Sequence, residues 1–79
     1  MKRLPRLDGR EVLRVLQRGG YLVTHVRGSH HYLRKPNAPN LVVVPVHGNR
    51  AIPIGTLRSI LRQARLTPEE FEALYRQED

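Results

Sequence analysis

Turn-forming residues interrupt this chain at short intervals, and that spacing limits the fold more than any other feature. Gly19 and Gly20, Gly28 and Ser29, residues 36–40 (PNAPN), residues 47–53 (HGNRAIP) and the pair Thr67 and Pro68 are breakers or turn formers. They isolate residues 21–27 (YLVTHVR), 30–35 (HHYLRK) and 41–46 (LVVVPV). Six or seven residues rich in Val, Tyr and Leu make a strand by length and by composition. Three consecutive strands are therefore predicted. Gly28 and Ser29 turn the first into the second. Pro45 places the end of the third at an edge or exit, because proline cannot donate to a sheet ladder.

Helices flank this strand region. Asp8 begins the first, and Glu11 three residues later completes a capping box. Val12, Leu13 and Leu16 form its apolar stripe with Val15 beside them, while Arg10, Arg14 and Arg18 recur on another face. Gly19 and Gly20 end it, since glycine reaches the left-handed conformation of a helix end. A second helix is predicted over residues 54–65. Ile54, Leu57, Leu61 and Ala64 line one face with Ile60 beside them, and Arg58, Arg62 and Arg65 point elsewhere. Thr67, Pro68 and Glu70 supply the N-cap, the N1 proline and the N3 glutamate of a third helix. Phe71, Leu74 and Tyr75 give that helix something to pack. The order α-β-β-β-α-α predicts an α+β two-layer sandwich, with helices on one face of a three-stranded antiparallel sheet. At 79 residues the chain is expected to be one domain, 1–79, with residues 8–65 as the α-β-β-β-α core and 67–79 as a short C-terminal helix.

Charge then narrows the function. Residues 1–68 carry 13 Lys and Arg against only Asp8 and Glu11, and five of the seven acids lie at or after Glu69. Such a body suits a polyanion such as RNA or DNA, or an acidic protein. There is no cysteine, which excludes disulfide frameworks and thiolate metal sites. No apolar run approaches a membrane span, and residues 1–10 lack the apolar region of a signal peptide. A cytoplasmic protein without membrane association is expected.

The chemistry concentrates in residues 26–35, VRGSHHYLRK. Metal binding is weakly supported: His25, His30 and His47 can be drawn as a three-histidine site, but carboxylate help is scarce. A nucleophilic triad through Ser29 lacks a nearby acid, and glycoside chemistry lacks paired carboxylates. Proton transfer on a phosphodiester needs none of these. An imidazole takes or gives a proton near neutrality, and Arg27, Arg34, Lys35 and Arg50 can stabilise phosphate charge. Gly28 and Ser29 can add backbone N–H groups, and Tyr32 can stack a base. His47 offers a second proton-transfer or phosphate group, or a residue that ends the strand. If His30 and His31 both lie in a strand they face opposite sides. Spacing alone does not choose between them.

The motifs Gly20, Tyr21; Gly28, Ser29, His30; Pro45, Val46, His47; and residues 55–61 (GTLRSIL) fall in order over nearly the whole chain. In this the sequence resembles the HicA toxin family, the YcfA/HicA-like mRNA interferases. Tyr21 replaces the commoner Phe, and residues 67–79 extend the usual ending. The resemblance implies a fold like a double-stranded-RNA-binding domain and metal-independent cleavage of mRNA in a type II toxin–antitoxin system. It also implies one essential histidine in the Gly-Ser-His motif, here His30, and neutralisation by a HicB-type antitoxin. The remaining substrate contacts expected are Arg27, Gly28, Ser29, Tyr32, Arg34, Lys35, His47 and Arg50. No metal or cofactor is expected, and the free protein is expected to be a monomer. The competing expectation is a non-catalytic basic module that binds RNA or an acidic partner.

Overall fold

The chain runs α1 (Gly9–Arg18), β1 (Leu22–Arg27), β2 (His30–Arg34), β3 (Leu41–Pro45), α2 (Ile54–Ala64) and α3 (Pro68–Tyr75). This is the order expected, in a computed structural model that describes residues 4–77. Both capping boxes form. The Asp8 carboxylate accepts the Glu11 N–H at 2.9 Å, and the Glu11 carboxylate accepts the Asp8 N–H at 3.0 Å. The Thr67 hydroxyl accepts the Glu70 N–H at 3.1 Å, and the Glu70 carboxylate accepts the Thr67 N–H at 2.8 Å. Each box satisfies two donors that a helix start leaves orphaned. At the end of α1 it is Gly20, at φ 96°, that takes the left-handed conformation. Its N–H bonds Gln17 O at 3.0 Å, and the Tyr21 N–H bonds Leu16 O at 3.1 Å. This paired pattern closes the helix and turns the chain into the buried Tyr21.

The sheet order is β1-β2-β3, antiparallel throughout, so β2 is central. Leu33, Val42 and Val44 have no exposed surface and define the covered face. They share one buried cluster with Val12, Val15 and Leu16 of α1, Leu57, Ile60, Leu61 and Ala64 of α2, and Phe71 of α3. Val15 lies in the core, whereas Leu13 packs at its margin. Leu4, Leu7 and Phe71 all belong to the buried cluster, so the core reaches beyond residues 8–65 on both sides. Tyr75 is 39% exposed and does not share in it. The third helix ends at Tyr75, and residues 78 and 79 lie outside the described residues. α3 is tied to α1 by the Arg18 guanidinium, whose Nη1 donates to Leu74 O and Tyr75 O, both at 3.1 Å. A cation there complements the negative end of the helix.

A second polar cluster holds the sheet to α2. The Tyr21 hydroxyl donates to Ala64 O at 3.0 Å and accepts from Asn40 Nδ2 at 2.6 Å. Asn40 also donates to Gln63 O at 2.9 Å, and Gln63 Oε1 accepts the Val43 N–H at 2.9 Å. Val43 lies on β3, so this last bond covers part of that strand's outer edge. β1 forms the other edge of the sheet.

One irregularity decides which side chains reach the open face. Leu22 pairs with Arg34 and Val23 with Leu33, but His25 then pairs with Tyr32, leaving Thr24 as an extra residue in β1. Unbroken alternation from Val23 would have turned His25 toward the helices. The bulge reverses the parity, so His25 and Arg27 share the open face with Tyr32 and His30.

Candidate nucleic-acid interface

The site is built around the β1–β2 hairpin. Arg27 and His30 are paired across it, leaving Gly28 and Ser29 as a two-residue loop. Gly28, at φ 56°, occupies the first central position. A type II′ hairpin turn reserves that position for glycine. Ser29 O accepts the Val46 N–H at 2.7 Å, which fastens the turn to the exit of β3. His30 opens β2 on the uncovered side, opposite Arg27 on one neighbour and Pro45 on the other. It is exposed.

His31 has the opposite fate. It faces the covered side between Val26 and Val44, is half-buried, and its Nδ1 is sealed from solvent without a hydrogen-bond partner. Alternation separates the two imidazoles as expected. Of the two, only His30 faces the open side.

Around His30 the open face carries His25, Arg27, Tyr32 and Arg34. The His25 and Tyr32 rings are stacked, 4.3 Å between centroids and 5° from parallel. The Thr24 hydroxyl donates to Tyr32 O at 3.2 Å and lies 3.2 Å from His25 Nδ1. Arg34 sits at the far end of β2, about 13 Å along the strand from His30. Its Nη1 donates to Pro39 O at 3.4 Å. Lys35 lies further still and leans away, with Nζ 5.8 Å from the Tyr21 ring centroid. Of the expected contacts, the structure brings Arg27, Gly28, Ser29 and Tyr32 together around His30, while Arg34 and Lys35 mark the opposite end.

His47 and Arg50 form a separate group beyond β3. The Arg50 N–H bonds His47 O at 3.0 Å, making a tight turn. Both line a cleft of about 300 Å³ with Pro45, Ile52 and Thr56. His47 is exposed two residues past the strand end and does not terminate it, since Pro45 does. α2 starts beside this cleft from Pro53, with no side-chain cap and no acid in its first turn. The positive end of its dipole therefore meets no compensating carboxylate within the helix.

The electrostatics match the sequence expectation. Among the described residues the carboxylates are Asp8 and Glu11 at the start of α1 and Glu69, Glu70 and Glu72 in α3. None lies on a strand. No group of three or more His, Asp or Glu side chains converges as a metal site among the described residues, so His25, His30 and His47 do not assemble into one. None of the described helices is long and apolar enough to cross a membrane.

His25 was legible from sequence only as a metal candidate. The signal that places it beside Tyr32 is the bulge at Thr24, and bulges leave no periodic trace in a sequence.

The fold and this face define a small α+β domain with one open, basic, acid-free sheet surface and a solvent-facing imidazole at its hairpin. A family model described as the HicA toxin of bacterial toxin–antitoxin systems matches residues 9–66. The chain belongs to the HicA toxin family. Membership makes it a toxin of a toxin–antitoxin pair, of a kind that is generally an RNase with an RNA substrate and an antitoxin partner. No curated relative matches the sequence.

Proposed function

We propose that this toxin is an endoribonuclease that cleaves mRNA with His30 as its acid/base group, needs no metal or cofactor, and acts in the cytoplasm. The observation that carries the reading is the separation of the two histidines. His30 stands exposed on the open face with Arg27 directly across, and His31 is turned toward the core. Cleavage within an RNA strand needs a base to take the proton from a 2′-hydroxyl. The oxygen then attacks the adjacent phosphorus, and the 5′-oxygen leaves with a proton. An imidazole can serve either proton transfer.

The crowded, doubly charged phosphorane needs cationic or N–H donors held in place. Arg27, one cross-strand pair from His30, supplies a planar donor fork at that distance. The Gly28 and Ser29 backbone lies beside it. Arg34, His47 and Arg50 contact the strand further along, where charge sets affinity without chemistry.

A HicB-type antitoxin silences the free, monomeric toxin by covering this face. Its contact surface is acidic, matched to the field around His30, and it associates quickly through steering. RNA and antitoxin then compete. The test is cleavage of a single-stranded RNA by the purified protein in EDTA, with and without antitoxin. Cleavage that survives EDTA and stops with antitoxin supports the reading. Tight RNA binding with no cleavage leaves the basic-module alternative in its place.

A further inference from the structure

We propose that the stacked His25 and Tyr32 rings form a platform for one unpaired RNA base and present its nucleotide to His30. This rests on the endoribonuclease reading above. It assigns a role to His25, which that reading does not use.

Three observations support the platform. The first is the stack itself. Two rings lie 4.3 Å apart and 5° from parallel on the open face. Tyr32 is central, with His25 on its β1 side and Val43 on its β3 side. His25 is on the edge strand, is exposed, and has no strand beyond it among the described residues. The column of rings therefore ends in an imidazole at the rim of the sheet, where another flat ring can continue it.

The second is how the imidazole is held. The Tyr32 carbonyl can only accept, so the Thr24 hydroxyl proton goes to it. The hydroxyl oxygen also meets His25 Nδ1 at 3.2 Å. One bulge residue thus touches both the imidazole and the strand that carries Tyr32.

The third is position. His25 and Tyr32 are the cross-strand pair next to Arg27 and His30 on the same face. Two residues along a strand is about 7 Å, so a base seated on the platform sets its sugar and phosphate within reach of His30. The occupant is an unpaired base. Duplex bases are already stacked on their neighbours, whereas sheet aromatics receive bases that have been splayed out.

The test uses the native protein and a non-cleavable 2′-O-methyl oligoribonucleotide carrying 2-aminopurine at each position in turn. Stacking quenches that fluorophore. One position should be quenched on binding. His25→Ala should relieve the quench and weaken binding by about five- to a hundredfold, the range of base–aromatic stacking. His25→Phe should restore both. Thr24→Val, which keeps the shape and removes the hydroxyl, should reduce both by less than His25→Ala does, since the ring loses one contact but keeps its stack on Tyr32.

A quench and an affinity that ignore His25→Ala overturn the platform and leave the nuclease reading intact. So does a clear preference for a hairpin duplex over the single strand. A native protein that neither binds nor cleaves RNA overturns both readings.

Discussion

Replacing Phe71 with alanine should bring this domain close to unfolding. Phe71 is the largest side chain with no exposed surface, and it is the buried residue of α3. It fills the core from a helix that lies beyond residues 9–66, the segment shared with the family. Emptying such a site costs about 3–5 kcal/mol, from lost burial and from the cavity left behind. A chain of 79 residues holds roughly 4–12 kcal/mol in total. Each kcal/mol shifts the melting point of a domain this size by about 4–8 °C, so the midpoint should drop by at least ~12 °C. Circular dichroism at 222 nm, followed through heat and urea, measures this directly. Phe71→Leu keeps most of the volume and should cost far less. A loss under ~1 kcal/mol for Phe71→Ala would mean that α3 is an appendage rather than part of the core. Truncation after Thr67 should destabilise the domain at least as much as Phe71→Ala. The deletion removes Phe71 together with the two carbonyls that Arg18 caps.

Further outcomes follow from individual contacts. Tyr21→Phe should cost about 1–2 kcal/mol in urea melts, because it strands Ala64 O and one Asn40 donor; unchanged stability would remove the Tyr21 cluster from the account. Arg65, the exposed end-cap of α2, sits at φ 56°, so Arg65→Gly should stabilise by about 0.5–1 kcal/mol, and a lower melting point would contradict that. Arg27→Ala should flatten the salt dependence of RNA binding by about 0.7 in log–log slope, the value of one lost single-strand phosphate contact. Lys35→Ala, whose side chain leans toward Tyr21, should change that slope much less, and the reverse order would put the RNA at the other end of the sheet.

What the sequence concealed has a physical pattern. Breakers and capping boxes are local, so Asp8, Glu11, Thr67, Glu70 and the Gly28, Ser29 turn could be read directly, and with them the element order. Which side of a helix faces inward is not local. α1 has apolar residues at four neighbouring positions, and only the docked helix shows that Val15 rather than Leu13 is covered. Tyr75 carries an apolar ring but lies past the point where α3 leaves the core. The separation of His30 from His31 needed only strand alternation, and it held. The placement of His25 needed a break in alternation at Thr24, which no residue there announces. Lys35 follows Arg34 directly in sequence, yet the strand has ended between them and its side chain turns away.

The central claim is that His30 performs the proton transfer and His31 does not. The most direct measurement is single-turnover cleavage of one RNA, in EDTA, by the native protein, His30→Ala and His31→Ala, each checked for fold by circular dichroism and for RNA affinity. His30→Ala should bind RNA and cleave it about 10²–10⁴-fold more slowly, the usual cost of removing an acid/base group. His31→Ala, which empties a position on the covered face, should lose stability rather than chemical rate. A folded His30→Ala protein that cleaves at the native rate, or a His31→Ala protein that stays folded and loses the chemistry, would contradict the account.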